Sequence, residues 1–144
     1  MVRSRHSVHV LLFHVTFCTK YRYRLLVYDV RQVLSKALRE VCERHDVCIL
    51  YACSWLDHVH LLLRLRPSQS LSEIVRIIKG YTSRRVRMEI PELRKLPALW
   101  QCGYFARTVG YDLPRLLRYL DKRHFRLVVN EAFLEVLRKV LLDG

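Results

Sequence analysis

The sequence predicts an α+β protein in which one antiparallel sheet carries helices packed on one face, a ferredoxin-like or RRM-like sandwich. Three observations predict this fold. Apolar residues alternate between strand spacing and helix spacing in the order β-α-β-β-α-β-α. Two consecutive strand segments are separated by a very short connection, which favours an antiparallel hairpin. The 144 residues are 51% apolar with only 4 Gly and 4 Pro, so we expect a single domain over residues 1–144.

The first half of the chain supplies three strands and one helix. Residues 8–17 are rich in Val, Phe and Leu and predict the first strand. Asp29 is the predicted N-cap of a helix that ends near residue 45. Residues 47–54 and 57–65 predict the second and third strands, with only two residues between them. A basic and aromatic segment over residues 20–24 follows the first strand, as in a loop that faces nucleic acid.

A second helix is predicted over residues 71–88. Ser70 precedes it as N-cap, and Glu73 stands where the partner residue of a capping box is found. Apolar side chains line one side of this helix, and the opposite side is basic. The basic residues there are Arg76, Lys79, Arg84, Arg85 and Arg87.

The last third of the chain predicts a strand and two helices. Residues 99–108 predict a final strand or a hairpin bent around Gly103. Asp112 opens a third helix, whose early proline is tolerated in the first turn. Residues 131–142 form a last apolar helix.

The charge of the chain indicates a polyanionic partner. Lys and Arg number 26 against 13 Asp and Glu, which leaves a net charge of +13 and a pI of about 10.0. Nucleic acid is the commonest partner of such a surface, and a membrane surface is the alternative. No apolar stretch approaches the roughly 20 residues of a spanning helix, and the first six residues do not resemble a signal peptide.

The cysteines favour a reducing compartment. The five cysteines form no C-x-x-C pair and their number is odd, unlike a zinc knuckle or a secreted disulfide framework. We therefore expect reduced, buried thiols in a cytoplasmic protein.

The tripeptide His58-Val59-His60 carries the strongest chemical signal. Because side chains alternate along a strand, both imidazoles point to one face, while Val59 points to the helices. Two neutral imidazoles are half of a divalent-metal site, although paired histidines on a wet sheet face are also found simply solvated. A metal site needs at least a third ligand.

Phosphodiester chemistry is the reaction that the charge and the histidines suggest. Mg²⁺ or Mn²⁺ would polarise a phosphoryl oxygen, and the nucleophile would be water or a side-chain hydroxyl. Among eight tyrosines, Tyr119 lies at the border between the leucine stripe of the third helix and a group of basic residues. Its hydroxyl can face a bound phosphate, or the ring can be a packing residue with a wet tip. The basic residues nearby are Arg115, Arg118, Lys122 and Arg126.

These pieces together resemble the small single-tyrosine HUH transposases of compact bacterial and archaeal insertion sequences. The match covers nearly the whole chain, and its five parts occur in the order found in that family. They are Thr19-Lys20-Tyr21-Arg22, Asp57-His58-Val59-His60-Leu61-Leu62, the basic helix from Ser72 to Tyr81, Leu99-Trp100-Gln101 with Gly103-Tyr104-Phe105, and Arg118-Tyr119-Leu120.

The resemblance implies a single-strand DNA endonuclease and strand transferase. Such enzymes cut and rejoin single-stranded DNA at the ends of a mobile element, without a nucleotide cofactor. Their tyrosine forms a 5′-phosphotyrosyl intermediate and leaves a free 3′-OH. They recognise hairpins near the element ends and act as dimers in which the tyrosine helix of one subunit can complete the site of the other.

Transferred by position, the resemblance makes Tyr119 the nucleophile on a C-terminal catalytic helix and His58 and His60 the metal ligands. The DNA-binding residues would be Lys20, Arg22, Arg76, Lys79, Arg84, Arg85, Arg118, Lys122 and Arg123. One position departs from the family pattern. A glutamine usually follows the tyrosine by four residues as third ligand, but Arg123 stands there and cannot bind a cation.

His124 is the possible replacement ligand, although an undistorted helix would turn it about 140° away from Tyr119. Asp57 would face away from the histidines unless the strand begins after it. A non-catalytic hairpin-binding module, or a domesticated relative that processes chromosomal repeats, is the alternative function.

Overall fold

A computed structural model describes residues 11–143 and contains a five-stranded antiparallel sheet and four helices. The strand order is β4-β1-β3-β2-β5. The strands are β1 (Leu11–Cys18), β2 (Cys48–Ser54), β3 (His58–Leu65), β4 (Phe105–Thr108) and β5 (Phe125–Val129). The helices are α1 (Tyr28–Arg44), α2 (Leu71–Glu89), α3 (Leu113–Arg123) and α4 (Glu131–Asp143). The predicted α+β class is confirmed; the start of the predicted first strand and the first six residues lie outside the described residues.

The two faces of the sheet carry different pairs of helices. Val59, Leu61 and Leu63 of β3 are fully buried in a core with the apolar sides of α1 and α2, as the strand alternation predicts. Leu62 points to the other face, where α3 and α4 pack through Leu117 and other apolar residues. The sandwich is therefore confirmed for α1 and α2, and the last two helices cover part of the second face.

Strand β5 was not predicted, and the structure corrects the extent of the helix before it. Helical spacing predicts Leu127 on the leucine stripe of the third helix, but the residue lies in β5, so that prediction is wrong. Helix α3 ends at Arg123 because His124 adopts extended backbone angles, φ −134° and ψ 164°. The next five residues pair antiparallel with β2 at the edge of the sheet. A strand this short has too few residues for its alternation to be recognised.

The helix starts agree only in part with the prediction. Ser70 caps α2, since its hydroxyl accepts the backbone N–H of Glu73 at 3.3 Å. The Glu73 carboxylate pairs with Arg76 instead, so the reciprocal half of the capping box is absent. Helix α1 begins at Tyr28 with Val27 as N-cap, so the prediction for Asp29 is wrong. Asp29 lies in the first turn, where its charge complements the helix dipole.

Two further predictions are modified. The strand predicted over residues 99–108 is shortened to β4, because the chain bends at Gly103, where φ is +85°, a conformation that favours glycine. All five cysteines are free, but only Cys53 is buried and Cys102 is exposed, so the prediction of uniform burial is wrong.

Between residues 11 and 143, no helix has both the length and the apolar character needed to cross a membrane.

Candidate metal centre and nucleic-acid site

Strand β3 presents two imidazoles on one face of the sheet, as its alternation requires. The rings of His58 and His60 are both partly buried, and their centroids are 4.9 Å apart. Val59 between them is fully buried on the opposite face. The apolar half of this strand therefore anchors the two histidines in the core.

His124 joins this pair because α3 ends one residue before it. Its ring centroid lies 4.6 Å from that of His60 and 5.4 Å from that of His58. One ring nitrogen from each of the three histidines lies within 4.8 Å of the others, close enough for one metal ion. The angle of about 140° expected between Tyr119 and His124 on a continuous helix thus does not apply, since His124 lies outside the helix. Arg123 does not enter the cluster; its guanidinium lies 5.0 Å from the centroid of the Tyr119 ring.

The Nδ1 atom of each histidine is already engaged by a neighbour. His58 Nδ1 donates to Asp57 Oδ1 at 2.7 Å, and His124 Nδ1 donates to the Leu120 carbonyl at 3.0 Å. His60 Nδ1 lies 2.9 Å from His14 Nε2. These contacts leave the three Nε2 atoms for a shared ligand and hold each ring in place, as partners behind metal ligands do. Because β3 begins at His58, Asp57 lies before the strand and need not point to the opposite face. Its carboxylate therefore contacts the His58 ring.

Sequence reasoning did not identify His14, although a signal was present. His14 and Thr16 alternate on β1 and so share the open face of the sheet with His60. Thr16 Oγ1 lies 3.1 Å from His60 Nδ1. Two polar residues two apart in an otherwise apolar strand mark a functional face.

Burial favours the neutral form of three histidines at this site. It lowers the pKa of His60 to about 3 and that of His14 to about 4, and it also lowers the pKa of His124. Neutral imidazoles keep the lone pair that binds a metal. The pKa of Asp57 is also lowered, because the hydrogen bonds from His58 and Arg22 outweigh the opposing effect of its burial.

The donor set fits a divalent cation. Three imidazoles suit a first-row transition metal with open positions for water and phosphate oxygens. Of the two predicted ions, Mn²⁺ belongs to that series, whereas Mg²⁺ prefers oxygen ligands.

Tyr119 lies on the wall of the same cavity as the three histidines. The open cavity has a volume of about 480 Å³. Tyr119 is 53% exposed, and its ring centroid is 6.2 Å from that of His124. Tyr119 therefore lies at the predicted border between the apolar and basic sides of α3, with its ring on the cavity wall near the histidines. The cavity is lined by Thr16, Cys18, Arg22, Trp55, His58, His60, Phe105, Tyr119, Arg123 and His124.

The cations predicted to bind DNA form one group at or near the cavity and a second group on α2. Arg22 and Arg123 line the cavity, and Arg118 and Lys122 are exposed on the tyrosine helix. Lys20 lies just before Arg22 with its ammonium 5.1 Å from the Tyr21 ring centroid.

The basic residues of α2 are arranged differently. Arg76 and Arg84 are exposed, whereas Lys79 donates to the carbonyls of Gln101 and Gly103, both at 2.8 Å. Arg85 is bonded to Glu40 on α1. Lys79 and Arg85 therefore hold parts of the fold together, whereas Arg22 and Arg123 line the cavity.

An α+β sandwich that gathers three histidines, a tyrosine and arginines in one cavity defines a nucleic-acid-directed protein with a candidate metal centre. The family model described as "Transposase IS200 like" matches residues 7–123. The chain belongs to the IS200-like transposase family.

The relatives agree with that membership. The chain is 30% identical over 128 residues to the ISDra2 transposase TnpA of Deinococcus radiodurans, covering 86% of this chain and 91% of the relative. It is also 30% identical to the transposase of insertion sequence element IS200 from Salmonella typhimurium, over 75% of this chain and 73% of the relative.

Two solved structures are similar in fold. One, described as a candidate transposase from Deinococcus radiodurans R1, has a TM-score of 0.68 and 29% identity over 87% of this chain and 99% of that chain. The other is a REP-associated tyrosine transposase bound to a REP hairpin, with a TM-score of 0.56. It is 17% identical, covers 77% of this chain and 62% of that chain, and therefore supports the fold alone.

Proposed function

We propose that this transposase cleaves and rejoins single-stranded DNA, with Tyr119 as nucleophile and His58, His60 and His124 as the ligands of Mn²⁺ or Mg²⁺. The observation that carries the proposal is the position of Tyr119 in the same cavity as three histidines whose Nδ1 atoms are all engaged. A metal bound there would polarise a phosphoryl oxygen and stabilise the charge of the transition state.

The reaction would proceed by in-line displacement. The Tyr119 hydroxyl gives its proton to solvent water, and Oη attacks the phosphorus atom of the scissile phosphodiester. A bond forms between Oη and phosphorus while the bond from phosphorus to the 3′-oxygen breaks, and that oxygen takes a proton to become a 3′-OH. Attack by a 3′-OH on the phosphotyrosine reverses both changes and joins the strands.

Arg22 and Arg123 would hold the phosphates on either side of the histidines. Both line the cavity, and Arg123 lies against the face of the Tyr119 ring. A guanidinium in this place can form charge-assisted hydrogen bonds with a nearby phosphate. The arginine at the usual glutamine position thus acquires a role, since His124 supplies the third imidazole.

We propose DNA hairpins at insertion-sequence ends as the substrate, which agrees with the hairpin seen bound to the relative of similar fold. A non-catalytic hairpin-binding role is the competing function, and covalent chemistry distinguishes the two. The test uses a pool of single-stranded hairpin oligonucleotides with randomised flanks, in the presence of Mn²⁺.

The expected product is a covalent adduct that survives denaturation. Because the tyrosine would take the 5′-phosphate, a label at the 3′ end should travel with the protein and a label at the 5′ end should be released. Tyr119→Phe should abolish the adduct while leaving hairpin binding intact. An adduct that persists in Tyr119→Phe would show that another residue is the nucleophile, and binding without any adduct would favour the non-catalytic role.

We also propose, from the family resemblance, that the protein acts as a homodimer with a site shared between subunits. In the single chain, Tyr119 lies beside its own histidines. Mixing Tyr119→Phe with His60→Ala separates the two arrangements. Sharing predicts that the mixture forms an adduct that neither variant forms alone; no recovery would mean that each tyrosine serves its own subunit.

A further inference from the structure

Two exposed aromatic side chains are stacked at the rim of the cavity. Trp55 follows β2 and Phe125 begins β5, and their rings are parallel, with an interplanar angle of 1° and centroids 5.5 Å apart. Each is 39% exposed, although both are large apolar groups. Such a pair of exposed rings beside a polar cavity marks a binding surface rather than a core.

Arg31 of α1 packs against the Phe125 ring of this stack. Its guanidinium carbon lies 3.8 Å from the centroid of the Phe125 ring, and its Nη1 donates to the Leu26 carbonyl at 2.8 Å. The Trp55 backbone N–H donates to the His58 carbonyl at 3.0 Å. Arg31 therefore holds the Phe125 ring and the backbone of Trp55 is bonded to β3 before any ligand arrives, which reduces the ordering cost of binding.

The contacts of Trp55 point to a nucleobase as the ligand. Phe125 covers one side of the indole, yet Trp55 still lines the cavity that contains the histidines and Tyr119. Arg22 and Arg123 line the same cavity and supply positive charge for the phosphates of the strand. Aromatic faces next to arginines are the usual means of holding single-stranded nucleic acid without reading its sequence.

We propose that Trp55, supported by Phe125 and Arg31, stacks on a base of the single strand beside the scissile phosphate. Trp55 is a positioning residue, and this role rests on the proposed action on single-stranded DNA. The stack would hold one unpaired nucleotide against the rim, so that the neighbouring phosphate lies between Tyr119 and the histidines. Because every base has an aromatic face, the contact would tolerate any sequence.

The test measures binding in metal-free buffer at low salt, and therefore does not depend on cleavage. Two fluorescent probes of equal charge and length are compared: twelve-residue oligothymidylate and a twelve-residue abasic deoxyribose phosphate chain. Trp55→Ala should weaken binding of oligothymidylate by roughly 5- to 100-fold and that of the abasic chain by less than about twofold. Trp55→Phe should restore most of the loss. Tyr111→Ala, which removes an exposed ring that does not line the cavity, should change neither affinity.

Intrinsic fluorescence gives a second, independent measurement. The chain has two tryptophans, and Trp100 is buried, at 5% exposure. Saturating oligothymidylate should therefore quench the Trp55 emission, the abasic chain should not, and Trp55→Phe should remove the quenching.

The stacking role would be overturned if Trp55→Ala weakened the binding of both probes equally or of neither probe. It would also be overturned if saturating oligothymidylate did not quench the fluorescence. Failure of the proposed function looks different: no covalent adduct forms in the wild-type protein, whatever Trp55 does. In the catalytic assay, Trp55→Ala should raise the DNA concentration at half-maximal rate more than it lowers the maximal rate.

Discussion

A histidine becomes a well-defined metal ligand only when its second ring nitrogen is held by a neighbour. In this protein, Asp57 and the Leu120 carbonyl fix the rings of His58 and His124, and His14 contacts the ring of His60. These three contacts come from β1, the β2–β3 connection and α3. The candidate centre therefore depends on residues that would not bind the metal themselves.

Asp57→Ala should lower Mn²⁺ affinity by about 10- to 100-fold, the usual loss when a partner behind a ligand is removed. The His58 ring would lose its acceptor and its fixed orientation. Calorimetric titration of the metal into the DNA-free protein measures this. Arg22→Gln is the matched control, since it removes the other partner of Asp57 but keeps the contact to His58. Unchanged affinity in Asp57→Ala would argue against His58 as a ligand.

His124→Ala and Arg123→Gln form a second pair of neighbouring substitutions. If His124 is the third ligand, its removal should weaken Mn²⁺ binding by at least about tenfold, while Arg123→Gln should leave it within about twofold, although glutamine is the residue that the family usually has there. Arg123→Gln should instead weaken DNA binding. Tighter metal binding in Arg123→Gln would indicate that a glutamine at this position can still reach the centre.

The secondary-structure elements are tied together by two partly buried polar links. Tyr51 of β2 is fully buried, and its hydroxyl donates to Asp121 of α3 at 2.8 Å. Asp121 lies between Tyr119 and His124 in sequence, so this bond fixes the segment that carries both. On the other face of the sheet, Glu40 of α1 accepts hydrogen bonds from Arg85 and Tyr81 of α2.

Tyr51→Phe should reduce the free energy of unfolding by about 2 kcal/mol, since it removes a buried hydrogen bond to a charged group. The ring packing is retained, so any larger loss would come from movement of α3. Urea unfolding followed by circular dichroism measures the change, with Tyr111→Phe at a fully exposed tyrosine as control. We also expect slower adduct formation, because α3 positions Tyr119. A loss no greater than that of the control would show that α3 does not depend on this bond.

Glu40→Gln should destabilise the pair of helices α1 and α2 in a pH-dependent manner. The bonds from Arg85 and Tyr81 lower the pKa of Glu40 from 4.5 to about 2. The unfolded chain thus binds the proton more readily than the folded protein, so stability falls as pH falls. The advantage of wild type over Glu40→Gln should be constant above about pH 5.5 and should shrink between pH 4.5 and 2. A difference that is independent of pH in that window would contradict the pairing.

The whole molecule combines a net charge of +13 with an open cavity, so long-range attraction should govern its binding to DNA. The logarithm of the affinity for single-stranded DNA should fall linearly with the logarithm of salt concentration, by about 0.7 per phosphate contact. Arg22→Gln should reduce this slope by about 0.7, as should Arg123→Gln, whereas Lys79→Gln should change it less because Lys79 is bonded to backbone carbonyls. Equal effects from all three would show that position in the cavity is unimportant. Fluorescence anisotropy over a salt series measures the slopes.

Much of this fold is readable from local patterns. Alternation along β3 predicts that His58 and His60 share the face opposite Val59, and helical periodicity predicts the buried sides of α1 and α2. These features follow from the geometry of one segment, in which near neighbours determine which side is apolar. The IS200-like family membership also rests on ordered local motifs, since those motifs lie along the sequence itself.

Other features required the tertiary structure. His124 reaches His58 and His60 only because α3 ends at Arg123 and β5 pairs with β2, and that pairing is a long-range contact with no local signal. The same contact brings Phe125 beside Trp55. The three histidines come from two segments about 60 residues apart, so their closeness depends on how the sheet is assembled. Local periodicity determines that the two histidines of β3 share one face of the sheet. Only long-range strand pairing places the third histidine beside them.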